Sequence, residues 1–114
     1  MSDVTINLLW MRPGLVGGSE RYVTQLLKSL SEVESRPSIQ LVVPPGVCEA
    51  HPFLGQYFAI DQQSTPFGRI GRMFRERHLF GTDLGSPLVH HMGGTLPNHN
   101  SNTKSVVTIY DVQY

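Results

Sequence analysis

Residues 4–30 read VTINLLWMRPGLVGGSERYVTQLLKSL, and this stretch decides the fold. Its first part, Thr5–Trp10, is mostly apolar, which is typical of a strand covered on both faces of a sheet. Its last part carries apolar residues at three- and four-residue steps, which predicts a helix over Glu20–Val33 with Ser19 as N-cap. A strand, a turn and a helix in this order predict the first unit of a parallel α/β sheet.

The turn between this strand and this helix contains the glycine pair Gly17 and Gly18. Because glycine has no Cβ, the backbone there can approach a ligand closely. The N–H groups at the start of the helix suit a phosphate or another anion. The spacing is neither G-x-G-x-x-G nor that of a P-loop, so a dinucleotide or Walker-type site loses its main support. A tight turn and helix cap without any ligand is the alternative.

The rest of the chain continues the alternation of strands and helices. Strands are predicted at Ile39–Val43, Tyr57–Ile60, Leu88–Met92 and Val106–Val112, and a helix at Gly68–Phe80. The predicted fold is therefore α/β, a Rossmann-like parallel sheet with flanking helices. Ligands of such sheets bind beyond the carboxyl ends of the strands, and the glycine turn, residues 91–95 and residues 110–111 fall there.

Composition and charge narrow the class of protein. Nine Lys and Arg balance nine Asp and Glu, which leaves no extended basic surface for nucleic acid. No stretch approaches the roughly 18 apolar residues of a membrane span, and no signal-peptide pattern opens the chain. The single cysteine, Cys48, cannot form an internal disulfide, and this fits a cytoplasmic protein. The basic stretch Arg69–His78 is expected to be a solvated helix face; acceptor binding or a peripheral contact at the inner face of the membrane is the alternative.

Two adjacent histidines, His90 and His91, fall on one predicted strand. Their side chains should point to opposite faces, so they are poorly placed to share one metal ion. No cluster of cysteines or carboxylates completes a ligand set, and no metal site is predicted. His91 is a candidate polar group at the ligand-binding edge, and a buried structural histidine is the alternative.

Three segments resemble the family 4 glycosyltransferases, which are GT-B enzymes that use nucleotide-sugar donors. Gly17–Val23 (GGSERYV) is similar to their G-G-x-E start, Leu88–Pro97 (LVHHMGGTLP) agrees with a second segment, and Ser105–Val112 (SVVTIYDV) is similar to their V-V-T-I-H-D-L strand. The segments stand in the family's order, whereas residues 44–87 match no motif. Tyr110 stands where many relatives have histidine, so a histidine-based role at that position does not carry over unaltered.

The resemblance implies retaining, metal-independent transfer of a sugar from a nucleotide-sugar donor to a sugar, lipid or other hydroxyl acceptor. It implies no cofactor beyond that nucleotide-sugar co-substrate. The implied site residues are Gly17 and Gly18 for donor binding, His91, Gly93 and Gly94 in the acceptor cleft, and Tyr110 and Asp111 as catalytic residues.

The length of the chain bounds what this resemblance can mean. A GT-B enzyme has two Rossmann-like domains, and 114 residues suffice for one. We therefore expect residues 1–114 to be part of the N-terminal, acceptor-side domain, without the C-terminal nucleotide-sugar-binding domain and its E-x7-E region. Such a piece should be inactive alone and prone to self-association. The alternative from another class is a non-catalytic α/β domain that binds a small ligand or a partner chain.

Overall fold

The computed structural model describes residues 3–12, 14, 18–64, 88–92 and 104–108. The strands are β1 (Val4–Asn7), β2 (Ile39–Val43), β3 (Ala59–Gln62), β4 (Leu88–His91) and β5 (Lys104–Val107). The helices in these ranges are α1 (Gly18–Ser31), α2 (Val47–Ala50) and α3 (Phe53–Tyr57). The strands form one parallel five-stranded sheet, which confirms the predicted Rossmann-like α/β fold. None of the described helices is long and apolar enough to cross a bilayer.

The strand order, β3-β2-β1-β4-β5, places β1 in the middle. From β1 the chain moves outward through β2 to β3, and it then crosses back to lay β4 against the other side of β1. Connections that leave neighbouring strands in opposite directions open a crevice beyond the carboxyl ends of those strands. In this sheet the crevice lies between the ends of β1 and β4.

Apolar side chains are buried on both faces of the sheet. The larger cluster joins the strands to all three helices, and its members include Ile6, Leu8, Val23, Leu27, Ile39, Leu41, Val43, Val47, Leu54, Phe58 and Met92. A smaller cluster consists of Leu9, Val42 and Val89. Burial on both faces explains why the sequence after Thr5 has so little polar alternation.

Helix α1 begins at Gly18, two residues before the predicted start at Glu20. Ser19, predicted as the N-cap, therefore lies inside the first turn of the helix, and that prediction is wrong. Glu20 is also in this first turn, where a carboxylate interacts favourably with the helix dipole.

The C-terminus of α1 also differs from the prediction, since the helix ends at Ser31 rather than Val33. The Arg36 guanidinium donates hydrogen bonds to the Ser31 carbonyl (3.1 Å) and the Val33 carbonyl (3.2 Å), which satisfies acceptors that the helix leaves open. Of the predicted apolar stripe, the outermost members are exposed, Tyr22 by 50% and Val33 by 44%. The core-facing stripe is thus narrower than the periodicity indicated.

The bounds of β1, β3 and β5 differ from the prediction by two residues or more, at one end or at both. β1 ends at Asn7 rather than Trp10, because a turn follows in which the Met11 N–H donates to the Leu8 carbonyl over 3.0 Å. β3 begins at Ala59 rather than Tyr57, because Tyr57 ends α3. β5 begins at Lys104, two residues before the predicted start.

The middle of the chain contains two elements that were not predicted, the short helices α2 and α3. β2 has the predicted bounds, and β4 ends one residue before the predicted Met92. The predicted helix over residues 68–80 and the part of the last strand after residue 108 lie outside the described residues.

Candidate functional site

A buried polar pair lies at the crevice between β1 and β4. Asn7 is the last residue of β1 and His91 the last of β4, and the two are register partners in the parallel pair. The Asn7 Nδ2 atom is 3.0 Å from His91 Nδ1. Only 2% of Asn7 and 1% of His91 is exposed. The pair therefore joins the two central strands at the point where their connections diverge.

The orientation of the Asn7 amide follows from a second hydrogen bond. The Leu9 N–H donates to Asn7 Oδ1 over 3.0 Å, so the carbonyl oxygen faces the turn and the NH₂ group faces His91. An amide NH₂ only donates, and His91 Nδ1 must therefore accept. The tautomer that fits this network carries its proton on Nε2.

His91 thus occupies the edge of the sheet at which it was predicted, and it is also buried, as the structural alternative requires. Asn7 was not predicted as a site residue. An amide near the end of an otherwise apolar strand is the one sequence signal that could have drawn attention to it.

The His90 side chain lies on the other face of β4, as predicted from the alternation of side chains along a strand. Its Nε2 atom is 2.5 Å from the hydroxyl oxygen of Thr108, which follows β5. Burial lowers the pKa of His90 from its ordinary value of 6.5. The Thr108 N–H donates to the His91 carbonyl over 3.0 Å, so pairing of β4 with the last part of the chain continues beyond Val107.

Gly14, in the turn before α1, and Gly18, the first residue of α1, have different backbone conformations. Gly14 has φ +82°, in the left-handed region that favours glycine. Gly18 is not in that region, and no described atom lies within 4 Å of where its Cβ would stand. Backbone strain thus accounts for glycine at position 14 but not at position 18.

The Arg12 side chain folds back onto the backbone of the segment that follows β1. The Arg12 guanidinium donates to the Leu9 carbonyl (3.0 Å) and to the Met11 carbonyl (3.1 Å). Two of its donors are therefore used within the turn.

The Glu20 carboxylate connects this turn to α1 and to the junction of α2 and α3. Its Oε1 accepts a hydrogen bond from the Gly14 N–H over 2.9 Å, and its Oε2 is 2.6 Å from His51 Nε2. The hydrogen bond with His51, followed by that from Gly14, lowers the pKa of Glu20 from its ordinary 4.5. Glu20 belongs to the motif quoted above, but no role was predicted for it or for His51.

No family model, curated protein or solved structure matches this chain. The likeness to family 4 glycosyltransferases therefore depends on the three sequence segments alone.

The remaining predicted site residues, Gly17, Gly93, Gly94, Tyr110 and Asp111, lie outside the described residues, and their roles stay predictions. Within the described part of the chain, no three His, Cys, Asp or Glu side chains are grouped so that they could hold a metal ion.

Cys48 packs against the larger apolar cluster, and burial raises the pKa of its thiol, which makes it a poor nucleophile.

Proposed function

We propose that this chain is part of the acceptor-side domain of a GT-B glycosyltransferase. The enzyme would transfer a sugar, of hexose type, from a nucleotide-sugar donor to a hydroxyl acceptor with retention of configuration. The observation that carries this proposal is Gly18 at the start of α1, beside the crevice of the sheet, where neither its φ nor any described neighbouring atom requires a glycine.

Glycine is an unfavourable choice for a helical position. In a helix interior it lowers stability by about 1 kcal/mol relative to alanine, and at the first helical residue by less; here neither a left-handed φ nor a described neighbouring atom requires it. A ligand that comes close to the backbone supplies the missing reason. The first N–H groups of a helix have no partners within the helix, and a donor diphosphate would accept hydrogen bonds from them.

The buried pair Asn7 and His91 favours a neutral, hydroxyl-rich ligand in the crevice. The hydrogen bonds given above for this pair are to each other and to the Leu9 N–H, and in the tautomer described there the pair adds no net charge to the crevice. A sugar hydroxyl needs no opposite charge in its site, so an uncharged crevice suits the transferred sugar better than the diphosphate. The proposal accordingly places the diphosphate near the start of α1 and the transferred sugar nearer the ends of β1 and β4.

The tasks of the other predicted residues follow from the resemblance. Tyr110 and Asp111 would line the transferred sugar, and Gly17, Gly93 and Gly94 would allow backbone to approach the substrates. Charge that develops on the leaving diphosphate would be stabilised by N–H groups that are already oriented, so no reorganisation is needed at the moment of bond cleavage. The acceptor would be a sugar, a lipid or another hydroxyl compound.

The first test is the coding sequence beyond Tyr114. A second α/β domain with an E-x7-E region supports the proposal. A stop codon at that point favours the alternative, a non-catalytic domain that binds a ligand or a partner.

The second test is an assay of the complete encoded polypeptide with a panel of UDP-, GDP- and ADP-hexoses, in which release of the nucleotide diphosphate is followed by mass spectrometry. We expect release with at least one donor, and none from the 114-residue chain alone, because both halves of a cleft are needed to bring donor and acceptor together. Turnover by the 114-residue chain, or no release by a two-domain protein with any donor and a broad acceptor mixture, would overturn the proposal.

A further inference from the structure

We propose that Glu20 and His51 are positioning residues that hold the backbone at Gly14 close to the start of α1. Three segments meet at the Glu20 carboxylate: the turn at Gly14, the first turn of α1, and the residue between α2 and α3. The positioning of the Gly14 backbone follows from these hydrogen bonds. The identity of the ligand that this backbone would help to bind rests on the proposed function.

The geometry of the contact fixes the Glu20 carboxylate from two sides. Both carboxylate oxygens are engaged, one by the Gly14 N–H at 2.9 Å and the other by His51 Nε2 at 2.6 Å. Only 13% of the Glu20 side chain and 22% of the His51 side chain is exposed, so competition from water is limited. A charge-assisted pair of this kind is among the stronger hydrogen bonds in proteins.

His51 is itself fixed by the backbone around it. Its N–H donates to the Val47 carbonyl over 2.9 Å, and its carbonyl accepts from the Leu54 N–H over 3.2 Å. The imidazole thus projects from the point where one short helix ends and the next begins. Glu20 receives its hydrogen bond from a group that the fold already holds in place.

This arrangement also answers an electrostatic difficulty of the proposed site. A free carboxylate in the first turn of α1 would repel a diphosphate that approaches the same helix end. Pairing with His51 and with the Gly14 N–H directs the charge of Glu20 toward the turn and offsets it. The helix N–H groups are then left for the ligand.

The other charged groups that border these surfaces lie on α1 or directly after it. Arg21 borders the same surface depression as Gly14, Glu20 and His51, while Lys28 and Glu32 border a groove that begins at His51. Arg21, Lys28 and Glu32 are exposed, so solvent and salt screen them. From α3, Tyr57 borders that groove and is also exposed. The direct partners of Glu20 therefore dominate its ionisation, and they lower its pKa.

The experiment uses ¹⁵N-labelled protein and the amide of Gly14 as the reporter. We compare the native chain with Glu20→Ala, Glu20→Gln and His51→Gln, and Glu32→Ala, at the exposed residue directly after α1, is the control. In Glu20→Ala the Gly14 amide should exchange with solvent at least about tenfold faster, as expected for loss of a hydrogen bond to a charged group. Glu20→Gln keeps an oxygen acceptor and should restore part of this protection. Glu32→Ala should change nothing.

A pH titration of the same amide separates positioning from a general loss of stability. In the native chain the Gly14 shift should titrate with a midpoint below 4.5, the ordinary pKa of a glutamate. The midpoint should rise in His51→Gln, and the transition should be missing in Glu20→Gln. These two variants keep the test decisive if Glu20→Ala does not fold.

Binding of UDP and GDP, measured on the complete polypeptide with the same substitutions, tells the two proposals apart. Loss of nucleotide affinity in step with loss of Gly14 protection supports the positioning role. A Gly14 amide whose exchange and titration are the same in all variants overturns it, even if nucleotides bind. Protection that depends on Glu20, without nucleotide binding by the native protein or by the complete polypeptide, retains the positioning of the turn and overturns the proposed function.

Discussion

Asn7 donates a hydrogen bond from its Nδ2 atom to Nδ1 of His91, 3.0 Å away and 84 positions later in the sequence. The bond joins the ends of β1 and β4 at the crevice of the sheet, and both side chains are buried. A buried amide whose oxygen and nitrogen both have protein partners has little freedom to reorient. The floor of the crevice is therefore arranged before any ligand arrives.

Replacing Asn7 by alanine should lower the free energy of unfolding by about 1–3 kcal/mol, because the Leu9 N–H loses its acceptor and His91 Nδ1 its donor in a buried site. Urea denaturation followed by circular dichroism measures this. Gln62→Ala, at the exposed end of β3, is the matched control and should stay within about 0.5 kcal/mol of the native protein. Equal effects of the two substitutions would show that the Asn7 network contributes nothing specific.

The tautomer of His91 is a second expected outcome of this network. Long-range ¹H–¹⁵N correlation spectra at pH 7.5 should show His91 protonated on Nε2 and not on Nδ1. In Asn7→Ala the Nδ1 atom loses its donor, so the preference should weaken. A proton on Nδ1 in the native protein would mean that the amide of Asn7 is turned the other way.

His90 should make the protein less stable in mild acid. Burial lowers its pKa in the folded state, so the unfolded chain takes up a proton at higher pH than the folded one. Stability should therefore fall as the pH drops below the ordinary value of 6.5 and continue to fall until the folded-state pKa is passed. Urea midpoints at pH 7.5, 6 and 5 should decline less in His90→Gln than in the native chain. Parallel declines would show that His90 does not titrate differently in the two states.

The sequence was sufficient for the parts of the fold that depend on hydrophobic periodicity. β2 has the predicted bounds because Ile39–Val43 is apolar except for the half-buried Gln40, and Pro44 ends it sharply. Both ends of α1 differ from the prediction by two residues. At the C-terminus, the Arg36 side chain satisfies the carbonyls of Ser31 and Val33, and apolar periodicity contains no signal for such a contact. The helices α2 and α3 are too short to produce a periodic pattern.

The candidate site was less predictable than the sheet that supports it. Strand ends bring residues together at a known edge, and this rule was enough to place His91 there. The rule could not identify Asn7 as the hydrogen-bond partner of His91, since the two residues lie 84 positions apart. Glu20 and His51 are likewise 31 positions apart, and one of them belongs to a segment without any recognisable motif. Such contacts follow from packing of the folded chain, which a local pattern does not contain.

Val106 on β5 is the basis of a prediction about association. Among the described strands β5 forms one edge of the sheet, and Val106 is 42% exposed there. An exposed edge with an apolar side chain favours pairing with a second copy. Light scattering of the 114-residue chain should show concentration-dependent association that Val106→Lys reduces. Val33→Lys, at a similarly exposed valine after α1, should leave it unchanged. A monodisperse monomer at high concentration would refute this prediction.

Gly18→Ala tests the function of the glycine turn most directly. Since φ at Gly18 is not in the left-handed region and no described atom would meet the new Cβ, the folded protein should be as stable as before or more stable by up to about 1 kcal/mol. If the donor diphosphate approaches this backbone, the added methyl group should nevertheless reduce sugar transfer by the complete polypeptide by about tenfold or more. Gly55→Ala is the matched control, because Gly55 is also helical, exposed and free of neighbouring described atoms. It should keep full activity, whereas Asp111→Asn, which removes a charge at a predicted catalytic position, should lose it. Normal transfer rates in Gly18→Ala would mean that the glycine pair only forms the start of the helix and does not bind the donor.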